Sequence, residues 1–148
     1  LAHWRASHAP IVHVRHLSTE PESLFWPEQE GVLFQDAFQP LADEKVIEKS
    51  VPDAFTYSDL NVWLREQDAQ ALVVVGVSTN NSVESTVRSA GNLGFKTYVV
   101  GSACFAVEKD DFFGQSRSAD EVHAMSLANL HGEYATVISQ DDAFSLLS

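Results

Sequence analysis

The sequence predicts an α/β fold of three layers, α/β/α, built on a mainly parallel sheet, and three observations predict it. Apolar runs rich in β-branched residues alternate along the chain with segments whose apolar positions recur every three or four residues. Neither a repeat nor a linker interrupts that alternation. The third observation is Ala71–Thr86, where an apolar run, a short polar turn and an amphipathic segment follow in immediate succession. Strands alternating with helices imply right-handed β-α-β crossovers and a parallel sheet covered on both faces.

The elements follow in order. Leu1–Ser7 reads as the last turns of a helix with Leu1 and Trp4 on one face, ended by His8-Ala-Pro10. Ile11–Arg15 alternates as a strand. Residues 17–44 are rich in Glu, Pro and Phe and read as a long loop, either a binding loop or one whose Phe25, Trp26, Phe34 and Phe38 pin it to the core. Val46–Lys49 is a short strand ending on a lysine. Thr56 or Ser58 caps the next helix, whose apolar face is Leu60, Trp63 and Leu64.

Ala71–Val75 reads as a strand buried on both faces. After the turn at Gly76–Asn81, Val83, Val87, Ala90 and Leu93 share one helical face, and Ser82 falls in that helix's first turn. Gly94 ends the helix and Phe95–Val100 is the next strand. Residues 101–117 read as a second wall of a binding pocket. Ser118 and Glu121 form a capping box opening a helix through Leu130. Tyr134–Ile138 is the last strand, and Asp141–Leu147 a short closing helix.

Composition narrows the partners. At 148 residues the chain reads as one domain, 1–148, large enough to bury a core. A net charge of −12 argues against nucleic acid and against an anionic membrane surface as partners. No apolar run approaches the roughly 18 residues a membrane-spanning helix needs, and no signal peptide is visible. The single cysteine, Cys104, cannot form an internal disulfide, so the cytoplasm is the expected compartment. The six histidines show no metal-ligand spacing. No metal and no cofactor is expected.

Where the strand at 71–75 meets its turn, a helix N-terminus offers free N–H groups to an anion or oxyanion. The turn Gly76-Val-Ser-Thr-Asn-Asn-Ser-Val-Glu-Ser-Thr86 resembles the nucleophile turn of the isochorismatase-like (cysteine hydrolase) family. Similar matches are Val12-His-Val-Arg-His16, Val46–Phe55, Gly94-Phe95 with Ser102-Ala-Cys-Phe105, and Glu121-Val-His123. Five motifs lie in the family's order along essentially the whole chain. The resemblance implies an isochorismatase-like hydrolase fold, and a site built from an aspartate, a lysine and a cysteine that hydrolyses a small amide or a vinyl ether.

Residue by residue, the resemblance implies that Lys49 is the catalytic lysine and that Ser82 stands at the nucleophile position. Backbone N–H groups of Ser78 and Ser82 form the oxyanion hole, and Val77–Ser78 matches the family's cis peptide. Substrate-binding positions fall on Phe25, Trp26, Phe55 and Phe105. Cys104 matches a small structural residue, and His123 a helix residue that is either structural or turned to the pocket. The blander readings are a solvated strand-end lysine at 49 and, at 82, a helix-start serine that satisfies a backbone N–H.

Two departures shape the functional expectation. The family's aspartate lies in an Asp-x-Gln motif on its first strand, which the chain lacks, so the domain reads as N-terminally incomplete. Serine stands for cysteine, and a serine hydroxyl stays protonated without a base, whereas a thiol needs only a modest push. Asp36, Asp53, Asp110 and Asp111 lie on loops, and the sequence positions none of them beside Ser82. The expectation is therefore a hydrolase-family protein whose activity is impaired in this chain. The alternatives are a catalytically degenerate member that binds ligands or forms oligomers, and an inactive truncated product. A homo-oligomer is expected, because an absent central strand exposes strand edges. Direct pairing of Ile11–Arg15 with Leu72–Val75 is the other way to cover them.

Overall fold

The elements occur in the predicted order, with several ends moved. The computed structural model describes residues 1–147, which divide into two compact units, Leu1–Gln67 with Leu147 and Asp68–Leu146. The class is α/β, and both larger sheets are parallel throughout.

In the first unit, helix α1 (Ala2–Ala6) precedes strand β1 (Val12–His16), which pairs in parallel with β2 (Lys45–Lys49) from Val12↔Lys45 to His16↔Lys49. Alternation along β1 turns His13 inward, 7% exposed, while Val14 is 40% exposed. His13 Nε2 lies 2.7 Å from Glu44 Oε2, and Arg5 holds both carboxylate oxygens of Glu44 at 2.7 and 2.8 Å. The Arg5 guanidinium holds the Glu44 carboxyl far below the usual carboxylate range. This charged network ties α1, β1 and the start of β2 together.

Residues 17–44 contain two single-turn 3₁₀ helices, Glu30–Val32 and Asp36–Phe38. Two of the four aromatics there pin the segment: Phe34 packs edge-on against His13 and Phe25 against His16. Phe38 stays half-exposed. Helix α2 (Leu60–Glu66) buries Leu60 and Leu64. Its N-cap is Asp59, without a side-chain cap bond, not Thr56 or Ser58. Thr56 Oγ1 instead donates to Asp53 Oδ2 at 2.7 Å, while Ser58 Oγ accepts from Leu60 N.

The second unit carries a three-stranded parallel sheet in the order β3 (Ala71–Val77), β4 (Lys96–Phe105), β7 (Thr136–Ile138). Between β4 and β7 lie a small antiparallel hairpin, β5 (Lys109–Asp110) and β6 (Ser116–Arg117), and helix α4 (Ala119–Leu130). A π-helical turn (Thr79–Val83) leads into α3 (Glu84–Asn92), and α5 (Gln140–Ser145) closes the unit. Its core is Val83, Val87, Val99, Cys104, Leu130 and Ala135. The capping box at Ser118 and Glu121 forms, and Gly94 ends α3 at φ +86°.

Three expectations change here. Strand β3 is the edge of its sheet, so none of its residues is fully buried, and Val75 and Val77 are 56% and 51% exposed. Strand β4 runs on to Phe105, so residues 101–105 are sheet and not loop. Gly101 permits this: a Cβ there would meet Leu127 Cδ1 and Val137 Cγ1, each at 3.3 Å. Within its own unit each of the two strands expected to close on one another has a different partner, β1 pairing with β2 and β3 with β4. Among the described residues, no helix is long and apolar enough to cross a membrane, and no group of three His, Cys, Asp or Glu could hold a metal ion.

Candidate functional site

The lysine singled out by the sequence ends β2, and its neighbour across the parallel register is His16, the last residue of β1. Two adjacent strands that stop together bring their terminal side chains together. Lys49 is 7% exposed; its Nζ donates to the Val51 carbonyl oxygen at 3.0 Å and lies 3.4 Å from His16 Nδ1. Burial pushes the Lys49 ammonium below its ordinary pKa, and the Asp53 carboxylate works against that. His16 is pushed down as well, first by burial and then by the Lys49 charge. The solvated strand-end reading of Lys49 is thus excluded by its burial.

The turn after β2 is built by Asp53, whose Oδ1 accepts from Phe55 N at 3.0 Å. Phe55 is partly buried at that turn. Phe25 meets the His16 ring edge-on at 5.9 Å and remains 48% exposed, so it forms an apolar wall beside the His16–Lys49 pair. Trp26 is partly buried.

In the second unit, β3 ends at the Val77–Ser78 peptide, which is cis. Gly76, at φ +137°, makes the preceding bend, where the register with β4 slips between Val74 and Gly76. Then the chain winds as a π-helix and not as the first turn of an α-helix: Val83 N donates to Ser78 O at 3.2 Å. Ser82 therefore belongs to this wider turn, ahead of α3, and is partly buried.

Two long-range ties hold the turn. Thr79 is fully buried, and its Oγ1 lies 2.7 Å from His123 Nδ1 on α4. Glu84 at the start of α3 pairs with Arg88 at 2.8 Å and accepts from Asn129 Nδ2 at 3.4 Å. The Arg88 guanidinium also sits over the Tyr134 ring, 4.6 Å from its centroid. His123 thus supports the turn from behind. Asn80 Oδ1, within the turn, is enclosed and makes no hydrogen bond.

Cys104 is 6% exposed, and burial pushes its thiol up, away from the reactive thiolate. Phe105, at the end of β4, is 57% exposed. Of the loop aspartates, Asp111 is consumed by the hairpin: it accepts from Phe113 N, Gln115 N and Arg117. Sequence reasoning gave no role to His16 or Thr79. The signal for His16 was available: both parallel strands end in a basic residue, Arg15-His16 and Glu48-Lys49. Thr79 offered none, since its partner lies 44 residues on.

The isochorismatase domain model matches residues 1–142, across both units. The isochorismatase family proteins YrdC and YddQ of Bacillus subtilis are 33% and 37% identical over 138 residues, 93% of this chain and 74% and 76% of theirs. A solved isochorismatase family protein from Chromobacterium violaceum superposes with a TM-score of 0.92 at 49% identity, over 97% of this chain and 75% of that one.

Proposed function

The chain belongs to the isochorismatase family of hydrolases, and on that premise we propose that it hydrolyses a small molecule at an amide or vinyl ether bond. The observation that carries this reading is the turn itself: Ser82 stands at the carboxyl end of a parallel strand, in a π-turn held by Thr79–His123, where α/β proteins gather their chemistry. In the amide reaction, the Ser82 hydroxyl attacks the carbonyl carbon and loses its proton to a carboxylate base, the role the resemblance gives to the family's aspartate. The N–H groups of Ser78 and Ser82 hold the oxyanion, and the buried Lys49 ammonium stabilises developing negative charge. Collapse expels the amine with a proton, and water then cleaves the acyl-serine. In the vinyl ether reaction an acid protonates the alkene carbon, water adds to the resulting oxocarbenium ion, and the hemiketal collapses to a carbonyl with release of the alcohol, so no nucleophile is needed at position 82. Phe25, Trp26, Phe55 and Phe105 supply apolar contact to the substrate.

Turnover of a panel of small primary amides and enol ethers, by wild type and by Ser82→Ala, tests the reading. Amide hydrolysis abolished by Ser82→Ala supports the serine as nucleophile; enol ether cleavage that survives it supports the second chemistry. Serine at the nucleophile position also favours a second reading, a catalytically degenerate member whose pocket only binds. That reading predicts saturable ligand binding and no turnover across the panel. We also infer a homo-oligomer, because an edge strand as apolar and exposed as β3 pairs readily with another chain. Light scattering that finds only a 16.3 kDa monomer would remove this inference. With one buried cysteine, the reducing cytoplasm is the proposed compartment.

A further inference from the structure

We propose that His16 is a positioning residue for Lys49: its neutral imidazole accepts a hydrogen bond from the Lys49 ammonium through Nδ1, and protonation of the imidazole withdraws that support. The proposal rests on the reading of Lys49 as the cation of the active site, but the pair is observable without it. The two residues are register partners at the ends of β1 and β2, and Nζ lies 3.4 Å from Nδ1. An ammonium has three donors and no acceptor, and the Val51 carbonyl takes one of them at 3.0 Å. An imidazole beside it serves as an acceptor only while Nδ1 carries no proton, which selects the tautomer protonated at Nε2.

Protonation reverses each part of that arrangement. Nδ1 becomes a donor and can no longer accept from the Lys49 ammonium, although the Val51 backbone by itself favours the charged imidazole. Two cations then face each other in a site where Lys49 is 7% exposed and poorly screened by water. The other charged groups do not cancel this. Asp53, in the turn after β2, acts on Lys49. On the strand itself, Arg15 is already paired with Glu48 of β2. From the loop the ring meets the apolar edge of Phe25, which holds its orientation without adding charge. Burial pushes both groups toward their neutral forms, so the site disfavours charge on the two side chains at once.

The chain labelled with ¹³C-lysine tests this by NMR. Four lysines (45, 49, 96 and 109) give four Cε resonances, and the one missing from Lys49→Arg belongs to Lys49. Expected in wild type are an alkaline midpoint below that of a free lysine and a second, smaller inflection at acid pH as His16 takes up its proton. His16→Asn presents an amide oxygen near the Nδ1 position and cannot titrate. It keeps the alkaline midpoint within about half a pH unit and loses the acid inflection. His16→Leu, which has no acceptor, lowers the Lys49 midpoint by about one unit, a tenfold loss in proton affinity. A Lys49 resonance without an acid inflection in wild type overturns the proposal, as does one unmoved by either substitution. Wild type alone carries the test if a variant fails to fold. Coupling without turnover on any substrate overturns the hydrolase reading instead, so the two fail separately.

Discussion

Replacing Thr79 by valine isolates the tie that holds the turn carrying Ser82. The swap exchanges a hydroxyl for a methyl of about the same size, so it opens no cavity at a position that is 0% exposed. What is lost is one hydrogen bond, 2.7 Å from the buried Oγ1 to Nδ1 of the partly buried His123. His123 then keeps a polar nitrogen facing a methyl group, and an unsatisfied buried polar atom costs about 1–3 kcal/mol. At roughly 3 °C per kcal/mol for a chain near this length, the thermal midpoint falls by about 3–9 °C. Urea titrations of Thr79→Val, His123→Phe and the double variant measure the coupling directly. The double variant should cost less than the two singles added, by about 1–2 kcal/mol. Strict additivity, or a Thr79→Val protein within about 0.5 kcal/mol of wild type, would refute the claim that this pair holds the turn. The same variant should lose turnover on any amide substrate, because Ser82 lies within the segment Thr79 anchors.

Three further perturbations follow from named contacts. Gly91→Ala should destabilise by about 1–3 kcal/mol in a thermal melt although alanine is the better helix former, because its Cβ would stand 2.8 Å from the Tyr134 carbonyl oxygen; a stabilised variant contradicts the packing. Glu44→Gln tests the network around His13. The folded pKa of Glu44 lies below its unfolded value, so its contribution is present above about pH 4.5 and lost as pH falls through the acid range. The stability gap between wild type and variant, followed by denaturant melts, should therefore be widest near neutrality and close on acidification. Lys49→Met should lower kcat by about 10²–10³-fold with little change in KM on whichever substrate is turned over, the loss expected of one electrostatic stabiliser. An unchanged kcat would remove Lys49 from the chemistry.

The chain alone determined what depends on neighbours in sequence. Period-two and period-three-to-four patterns set the order of strands and helices, and Ser118 and Glu121 opened α4 because a capping box is closed within four residues. Gly94 likewise ended α3 through its own backbone. Ser82 was legible from the strand, turn and helix that follow one another at Ala71–Thr86, and Lys49 from the resemblance to the isochorismatase-like family. What the chain left open depended on partners far away along it. Residues 101–105 read as a loop because Gly101, Ser102 and Ala103 carry little strand character, and only register with β3 and packing against Leu127 and Val137 makes them sheet. Strand β3 read as buried on both faces because its residues are uniformly apolar, yet the strand order puts it at an edge. The π-turn at Thr79–Val83 read as a polar turn through Asn81 with ordinary helix from Ser82, since apolar spacing does not distinguish a wider first turn. The supporting contacts were invisible for the same reason: His16 meets Lys49 across 33 residues, His13 meets Glu44 across 31 and Thr79 meets His123 across 44. Local pattern decides which way a side chain faces, and only the folded chain decides what it faces.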